Sequence, residues 1–266
     1  VTDQRLDAAL AERGIARSRT HAARLIADGS VTVDGVTVIK ASARVGESQE
    51  LAVRGIDHYV SRAAHKLLFA LDSFAVDPIG RDALDVGAST GGFTQVLLER
   101  GARSVVALDV GHGQLDRIVA IDARVTVIEG FNARDLTAEG LDGAAHRKVR
   151  VDLVVADLSF ISLTQVLPAL AETVGIGADY VLLIKPQFEV GRTGIREGIV
   201  RDAGLRSEAV SKVLWAAWDL GLKTAGLVES PILGNAGNHE YLVWLSATVG
   251  GSPTEWTDAL FAVPAR

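Results

Sequence analysis

The chain has 266 residues, with 33 acidic against 27 basic side chains and a formal net charge of −6 at pH 7. That balance excludes a polycation held to nucleic acid by bulk charge, and 48% hydrophobic with 23% charged residues excludes a disordered chain. Zero Cys excludes structural disulfides, thiol catalysis and cysteine-ligated zinc, and the six His are scattered without metal-ligand spacing.

At the N-terminus no basic-then-apolar signal pattern is visible, and no apolar run approaches the ~18 residues of a membrane span, so the expected location is the cytoplasm. The absence of Met is expected of a sequence that is not the complete translation product. Leu6, Ala9 and Leu10 predict a helix over 4–13; Ala22, Leu25 and Ile26 predict a second over 18–28, capped by Ser18 and stopped by Gly29. Val31 and Val33, then Val36 and Val38, alternate with polar residues around Asp34-Gly35, the pattern of a hairpin. Residues 1–53 therefore read as a small ααββ unit and 54–60 as a linker.

From Ser61 a third helix carries Ala64, Leu67, Leu68, Leu71, Phe74 and Ala75 on one stripe and ends at Pro78 and Gly80. Apolar runs at 82–86, 104–110, 125–129, 151–156 and 180–184 then alternate with helical or loop segments. That order predicts a doubly wound α/β domain over 61–249 with a mostly parallel sheet. A helix over 203–220 and runs at 222–228 and 241–247 complete seven strands. Residues 250–266 lack periodicity and read as a loosely ordered tail.

The first of these strands runs into Gly87-Ala88-Ser89-Thr90-Gly91-Gly92-Phe93, a Gly-rich turn that lets a ligand approach the backbone at the carboxyl edge of the sheet. Its glycines are spaced G-x-x-x-G-G, not G-x-G-x-x-G as for a dinucleotide, and no P-loop Lys-Ser/Thr follows. Asp85 beside the turn disfavours a phosphate and suits a cation such as the sulfonium and amino groups of S-adenosylmethionine (SAM). Asp109, ending the second strand, is placed to accept from ribose hydroxyls, and Asn132, past the third, to meet an adenine edge. Both residue types also occur in strand-end turns for structural reasons. Asp157 and Lys185 close the apolar runs 151–156 and 180–184, at the edge where such sheets hold their active sites. Lys66, read on the polar face of the helix before the sheet, and Glu240, before the last strand, complete two lysines and two carboxylates. Spacing alone does not choose Lys66 over Arg62.

Five segments carry a resemblance: Val60-Ser61-Arg62-Ala63-Ala64-His65-Lys66-Leu67, Asp85 to Phe93, Asp157-Leu158-Ser159-Phe160-Ile161-Ser162, Lys185-Pro186-Gln187-Phe188-Glu189 and Gly237-Asn238-His239-Glu240-Tyr241. They closely resemble the TlyA family of ribosomal RNA 2′-O-methyltransferases, which also carries the label haemolysin, over about residues 4–247. The resemblance implies an S4-like RNA-binding unit followed by a Rossmann-like, seven-stranded, FtsJ-like SAM-dependent methyltransferase domain. It implies a catalytic tetrad of Lys66, Asp157, Lys185 and Glu240. It also implies a cofactor site made of Asp85, Gly87, Ala88, Ser89, Gly91, Gly92, Phe93, Asp109, Asn132 and Asp157. Ala63 stands where Gly is common in the family and His112 where Tyr is expected.

Methylating a ribose hydroxyl requires in-line attack on a sulfonium methyl group by an oxygen whose proton must be taken or weakened. The family mechanism gives that task to Lys185, its pKa lowered by burial and by Lys66, with Asp157 and Glu240 orienting the lysines and opposing that shift. The implied partner is ribosomal RNA within ribosomal subunits, with cytidines of 16S and 23S rRNA as targets that leave their stack to react. Arg13, Arg17, Arg19 and Arg24, in a stretch without acids, are the expected phosphate contacts of a unit whose residues 1–58 carry eight basic and eight acidic side chains. Two other classes compete with this reading. A NAD-dependent oxidoreductase is disfavoured by the glycine spacing. A non-enzymatic RNA-binding or membrane-lytic protein has no use for the Gly turn and the two strand-end charges, and no membrane pattern supports lysis.

Overall fold

The computed structural model describes residues 3–16, 18–27, 29–53, 58–191, 195–234 and 236–256. The chain divides into two compact units at His58 and Tyr59.

In the first unit, β1 (Gln4–Arg5), α1 (Leu6–Glu12), α2 (Arg19–Ala27), β2 (Val31–Val33), β3 (Val36–Thr37), β4 (Arg44–Val45) and β5 (Leu51–Val53) follow in order. Leu6, Ala9 and Leu10 of α1 and Ala22 and Ile26 of α2 close over Val31, Val33, Val45 and Leu51 in one small core. Ser18 accepts from His21 N at 3.2 Å, the capping bond expected at the start of α2. The β2–β3 hairpin turns at Asp34 (φ 49°) and Gly35 (φ 79°). β5 pairs with the other side of β2, and β1 pairs with β4. β1, β4 and β5, of two or three residues each, lie outside the ααββ pattern read from the sequence.

The second unit comprises α3 (Ala64–Phe74), β6 (Asp82–Val86), α4 (Gly92–Glu99), β7 (Ser104–Leu108), α5 (Arg117–Ala120), β8 (Val125–Ile128), α6 (Ala138–Ala145), β9 (Leu153–Ala156), α7 (Leu163–Val174), β10 (Asp179–Ile184), α8 (Pro186–Glu189), α9 (Ala203–Asp219), β11 (Lys223–Glu229) and β12 (Tyr241–Ser246). Seven strands form one sheet in the order β11-β12-β10-β9-β6-β7-β8. All neighbours pair in parallel except β12, which is antiparallel to both β10 and β11. Apolar side chains of α3, α4 and α5 pack on one face and those of α6, α7 and α9 on the other. A sheet covered on both faces needs near-continuous apolar strands, and β9 and all but the first residue of β10 are buried.

Two segments differ from the sequence reading. Of the linker over 54–60, residues 54–57 lie outside the described residues, while Tyr59 and Val60 belong to the second unit. Val60 is buried there and its N donates to Gln95 Oε1 at 2.8 Å. Of the tail over 250–266, residues 257–266 lie outside the described residues. Residues 250–256 are tied down: Gly251 bridges to Thr224, Pro253–Trp256 form a 3-10 turn, and Trp256 Nε1 donates to Thr224 O at 3.1 Å. Single aromatic anchors of this kind leave no periodicity to read.

Candidate active site

Strand topology collects the charged residues. β9 and β10 are parallel neighbours with Ala156 opposite Leu182, so the residues just beyond them, Asp157 and Lys185, emerge on the same edge. β12 runs the other way, with Tyr241 opposite Ile184, and this returns Glu240 to that edge. Lys66 comes from the first turn of α3, which is anchored by Leu67 and Leu71 in the same core cluster as Leu183 and Leu242. Lys66 does not lie on a polar helix face, as read from sequence. It is 5% exposed and turned toward the sheet, whereas Arg62 is exposed on the rim of the same cavity.

The four side chains form an alternating row. Lys185 Nζ lies 2.6 Å from Asp157 Oδ1 and donates to Ser159 Oγ at 2.9 Å. Lys66 Nζ lies 3.9 Å from Asp157 Oδ2 and donates to Glu240 Oε2 at 2.5 Å. The Lys185–Asp157 contact is close enough for an ion pair but lacks hydrogen-bond angles, so the directed bond of Lys185 goes to Ser159. Lys185 and Glu240 are 9% and 2% exposed. Removing four charges from water is tolerable because two cations offset two anions at contact distance; losing one member would strand its partner. Held this way at a cavity wall, the ammonium can donate to a hydroxyl oxygen, and only after giving up its own proton can the amine accept the hydroxyl's.

Gly87, Ala88, Ser89, Thr90, Gly92 and Phe93 form the facing wall of this cavity. Gly87 has φ 83°, and a Cβ there would lie 3.0 Å from the Asp157 carbonyl oxygen. At Gly92 a Cβ would meet Ser61 Cβ at 2.9 Å. Bare backbone at these two positions lets β6, β9 and the start of α3 converge around the opening.

Three residues expected at the cofactor stand behind that wall. Asp85 is fully buried: its Oδ2 accepts from Thr94 Oγ1 at 2.6 Å, and its Oδ1 has no hydrogen-bond partner. Burial pushes its carboxyl up to about 7, opposed by the Thr94 hydrogen bond and assisted by the charge of Asp157. The expected direct contact of Asp85 with a cation is therefore corrected, because the carboxyl is turned to α4 and does not line the cavity. Gly91 (φ 96°) forms the turn into α4, where a Cβ would meet Leu115 Cδ1 at 2.8 Å. Asp109 accepts from Ser89 N at 2.8 Å and from Gly111 N at 2.7 Å, holding the glycine turn and its own strand-end loop together. Asn132 is exposed and caps the 3-10 turn Ala133–Asp135 by accepting from Arg134 N. It lines a separate cleft shared with Phe160, Gln187 and Phe188. His112, standing where a Tyr is expected, lies over Gly130, where a Cβ would meet its ring at 2.5 Å.

The arginines of the first unit divide. Arg13 donates to Gln49 O and Gly46 O, both at 2.8 Å, so its guanidinium ties a loop rather than presenting itself to phosphate. Arg19 is 62% exposed at its side chain but pairs with Asp7 at 3.3 Å, an acid from α1 that a scan of residues 13–24 cannot see. Arg19 and Arg5 hold Asp7 at about 2, the Arg5 hydrogen bond being the largest cause. Arg24 is exposed, and Arg17 lies outside the described residues. Ser61, Thr90 and Ser159 line the cavity without having been singled out; only the position of Ser159, two residues past a strand-closing Asp, gave a signal.

Comparison with known proteins identifies the family. The FtsJ-like methyltransferase family matches residues 59–247 and the S4 domain residues 4–51. A Mycobacterium tuberculosis protein named 16S/23S rRNA (cytidine-2′-O)-methyltransferase TlyA is 50% identical over 244 residues, covering 91% of this chain and 89% of its own. Hemolysin A of Brachyspira hyodysenteriae is 38% identical, over 90% of this chain and 98% of its own. A solved structure from Streptococcus thermophilus that carries a hemolysin name is 34% identical with a TM-score of 0.75, covering 97% of this chain and 94% of its own. Among the described residues no helix is long and apolar enough to cross a membrane. The chain is an enzyme of the TlyA family, an FtsJ-like methyltransferase preceded by an S4 domain.

Proposed function

We propose that this chain transfers a methyl group from SAM to the 2′-hydroxyl of a cytidine in 16S rRNA, 23S rRNA or both, acting in the cytoplasm on ribosomal subunits. The observation that carries the reading is the meeting of Lys66, Asp157, Lys185 and Glu240 in one cavity walled by the glycine turn. The name of the 50% identical mycobacterial relative supports the choice of substrate.

The residues present fit SAM. A wall of small residues with bare backbone at Gly87 and Gly92 admits a flat nucleoside, and Asp157 offers a carboxylate to a cation. Gly87, Ala88, Ser89, Gly92 and Phe93 would hold it directly; Asp109 and Asn132 are proposed for the ribose and the adenine edge, and Asp85 and Gly91 for support behind the turn. When bound, SAM supplies an electrophilic methyl group. Lys185 Nζ, in its neutral form with its own extra proton already released to solvent, takes the proton of the attacking hydroxyl, Asp157 and Ser159 fix that amine, and Glu240 acts through Lys66 to fix Asp157.

The test is transfer of labelled methyl from SAM to purified small and large subunits, with the product mapped by mass spectrometry. A 2′-O-methylcytidine is expected, and absence of label in both subunits contradicts the reading. RNA capture is assigned to the exposed arginines of the S4 unit. Arg19→Glu with Arg24→Glu should weaken subunit binding and lower the salt slope by about 1 per lost phosphate contact. An unchanged salt titration would remove that assignment.

A further inference from the structure

Glu189 is a buried acid, 5% exposed, that does not line the catalytic cavity. It lies one helical turn after Lys185, at the end of α8. Its Oε1 accepts from Leu163 N at 2.7 Å and its Oε2 from Ser162 Oγ. Ser162 caps α7, and Leu163 N is among the helix-end donors that have no partner within the helix. Lys212 Nζ donates to Glu189 O at 3.2 Å.

The two bonds of Glu189 fall on the far end of the segment that begins with Asp157. Six residues separate strand β9 from α7, and within them Asp157 and Ser159 both meet Lys185 Nζ. The segment is not relaxed: Phe160 has φ 66°, a left-handed conformation that a side chain with a Cβ rarely adopts, and the residue is 92% exposed. The near end is fixed by the sheet, where Asp157 N donates to Val86 O at 3.3 Å. Without Glu189 the far end would lose two bonds, and the segment would be free to relax away from Lys185.

We infer that Glu189 is a positioning residue for methyl transfer: anchored one turn beyond Lys185, it holds the 157–162 segment so that Asp157 and Ser159 stay on the Lys185 amine. This rests on the methyl-transfer reading above.

The test uses the full chain, with transfer kinetics, SAM titration and a thermal melt on each variant. Glu189→Ala should lower kcat by about 30-fold while leaving SAM affinity within about 3-fold, because it disturbs the reacting geometry and not the glycine wall. Glu189→Gln can still accept from Leu163 N, and should recover kcat to within about 5-fold of the unsubstituted chain. Ser159→Ala combined with Glu189→Ala should lose less than the product of the two single effects, since both act through one amine. Should Glu189→Ala fail to fold, Ser162→Ala, which leaves the Leu163 bond in place, should lower kcat about 3-fold or more at unchanged SAM affinity. The inference is overturned by an unchanged kcat in Glu189→Ala or, in its stead, Ser162→Ala, by no rescue with Gln, or by fully multiplicative losses. An unsubstituted chain that transfers no methyl group would instead remove the reading beneath it.

Discussion

The two edges of the seven-stranded sheet carry the same kinds of side chain to opposite effect. At the amino edge, Arg81 meets Asp179 at 2.6 Å and Arg103 pairs with Asp82, with the arginine side chains 30% and 62% exposed. At the carboxyl edge, Lys66 and Lys185 are 6% and 10% exposed at their side chains and share Asp157 between them. Strand β6 spans the contrast within four residues. Asp82 at its start is held below the usual carboxylate range by the Arg103 hydrogen bond, and Asp85 near its end is pushed up to about 7 by burial. A charge at a strand end is therefore no sign of chemistry in itself. What distinguishes the carboxyl edge is convergence from four elements, burial, and a glycine wall that leaves room for a ligand.

If that contrast is right, substitutions at the two edges should differ by orders of magnitude. Lys185→Ala should lower methyl transfer at least ~10³-fold while SAM affinity stays within a few fold, measured by labelled transfer and calorimetry. Glu240→Ala leaves the buried Lys66 short of its 2.5 Å partner, and should cost about 3–5 kcal/mol of stability in a urea titration. Asp85 makes the carboxyl edge respond to pH. Its folded pKa lies above that of the unfolded chain, so between about pH 4 and 7 the folded state holds a proton that the unfolded state releases. Stability should fall as pH rises through that window and level off above it. Asp85→Asn should remove the slope and stabilise the protein at pH 8 by on the order of 2–4 kcal/mol, read from melts across pH. Asp82 has the opposite sign, its contribution being lost as pH falls below the usual carboxylate range. Arg81→Ala, at the amino edge, should cost no more than about 1 kcal/mol and leave transfer unchanged, since a partly exposed pair is screened by water. Impaired transfer by an Arg81→Ala variant would contradict the distinction between the two edges.

Much of this was legible in the sequence because burial on both faces of a sheet writes itself as apolar runs. Residues 151–156 and 180–184 could be read as strands, and the charges closing them as strand ends. Glu240 was legible as a charge before the last strand, but its return to the active edge needs the antiparallel course of β12, which no spacing encodes. Lys66 and Arg62 lie one turn apart on a short helix start, so only the observed burial separates them. The residues whose engagement the sequence hides share a cause: their partners are distant in sequence. Arg13 is engaged by Gly46 and Gln49, Arg19 by Asp7 and Asp85 by Thr94. A window along the chain shows which charges lack local neighbours, and folding supplies non-local ones.

The most direct test of the claim that the carboxyl-edge cluster is the catalytic centre is labelled methyl transfer from SAM to ribosomal subunits by paired variants. Lys185→Ala should abolish transfer with SAM binding retained, and Arg81→Ala should match the unsubstituted chain. Full turnover by a folded Lys185→Ala variant would contradict the account.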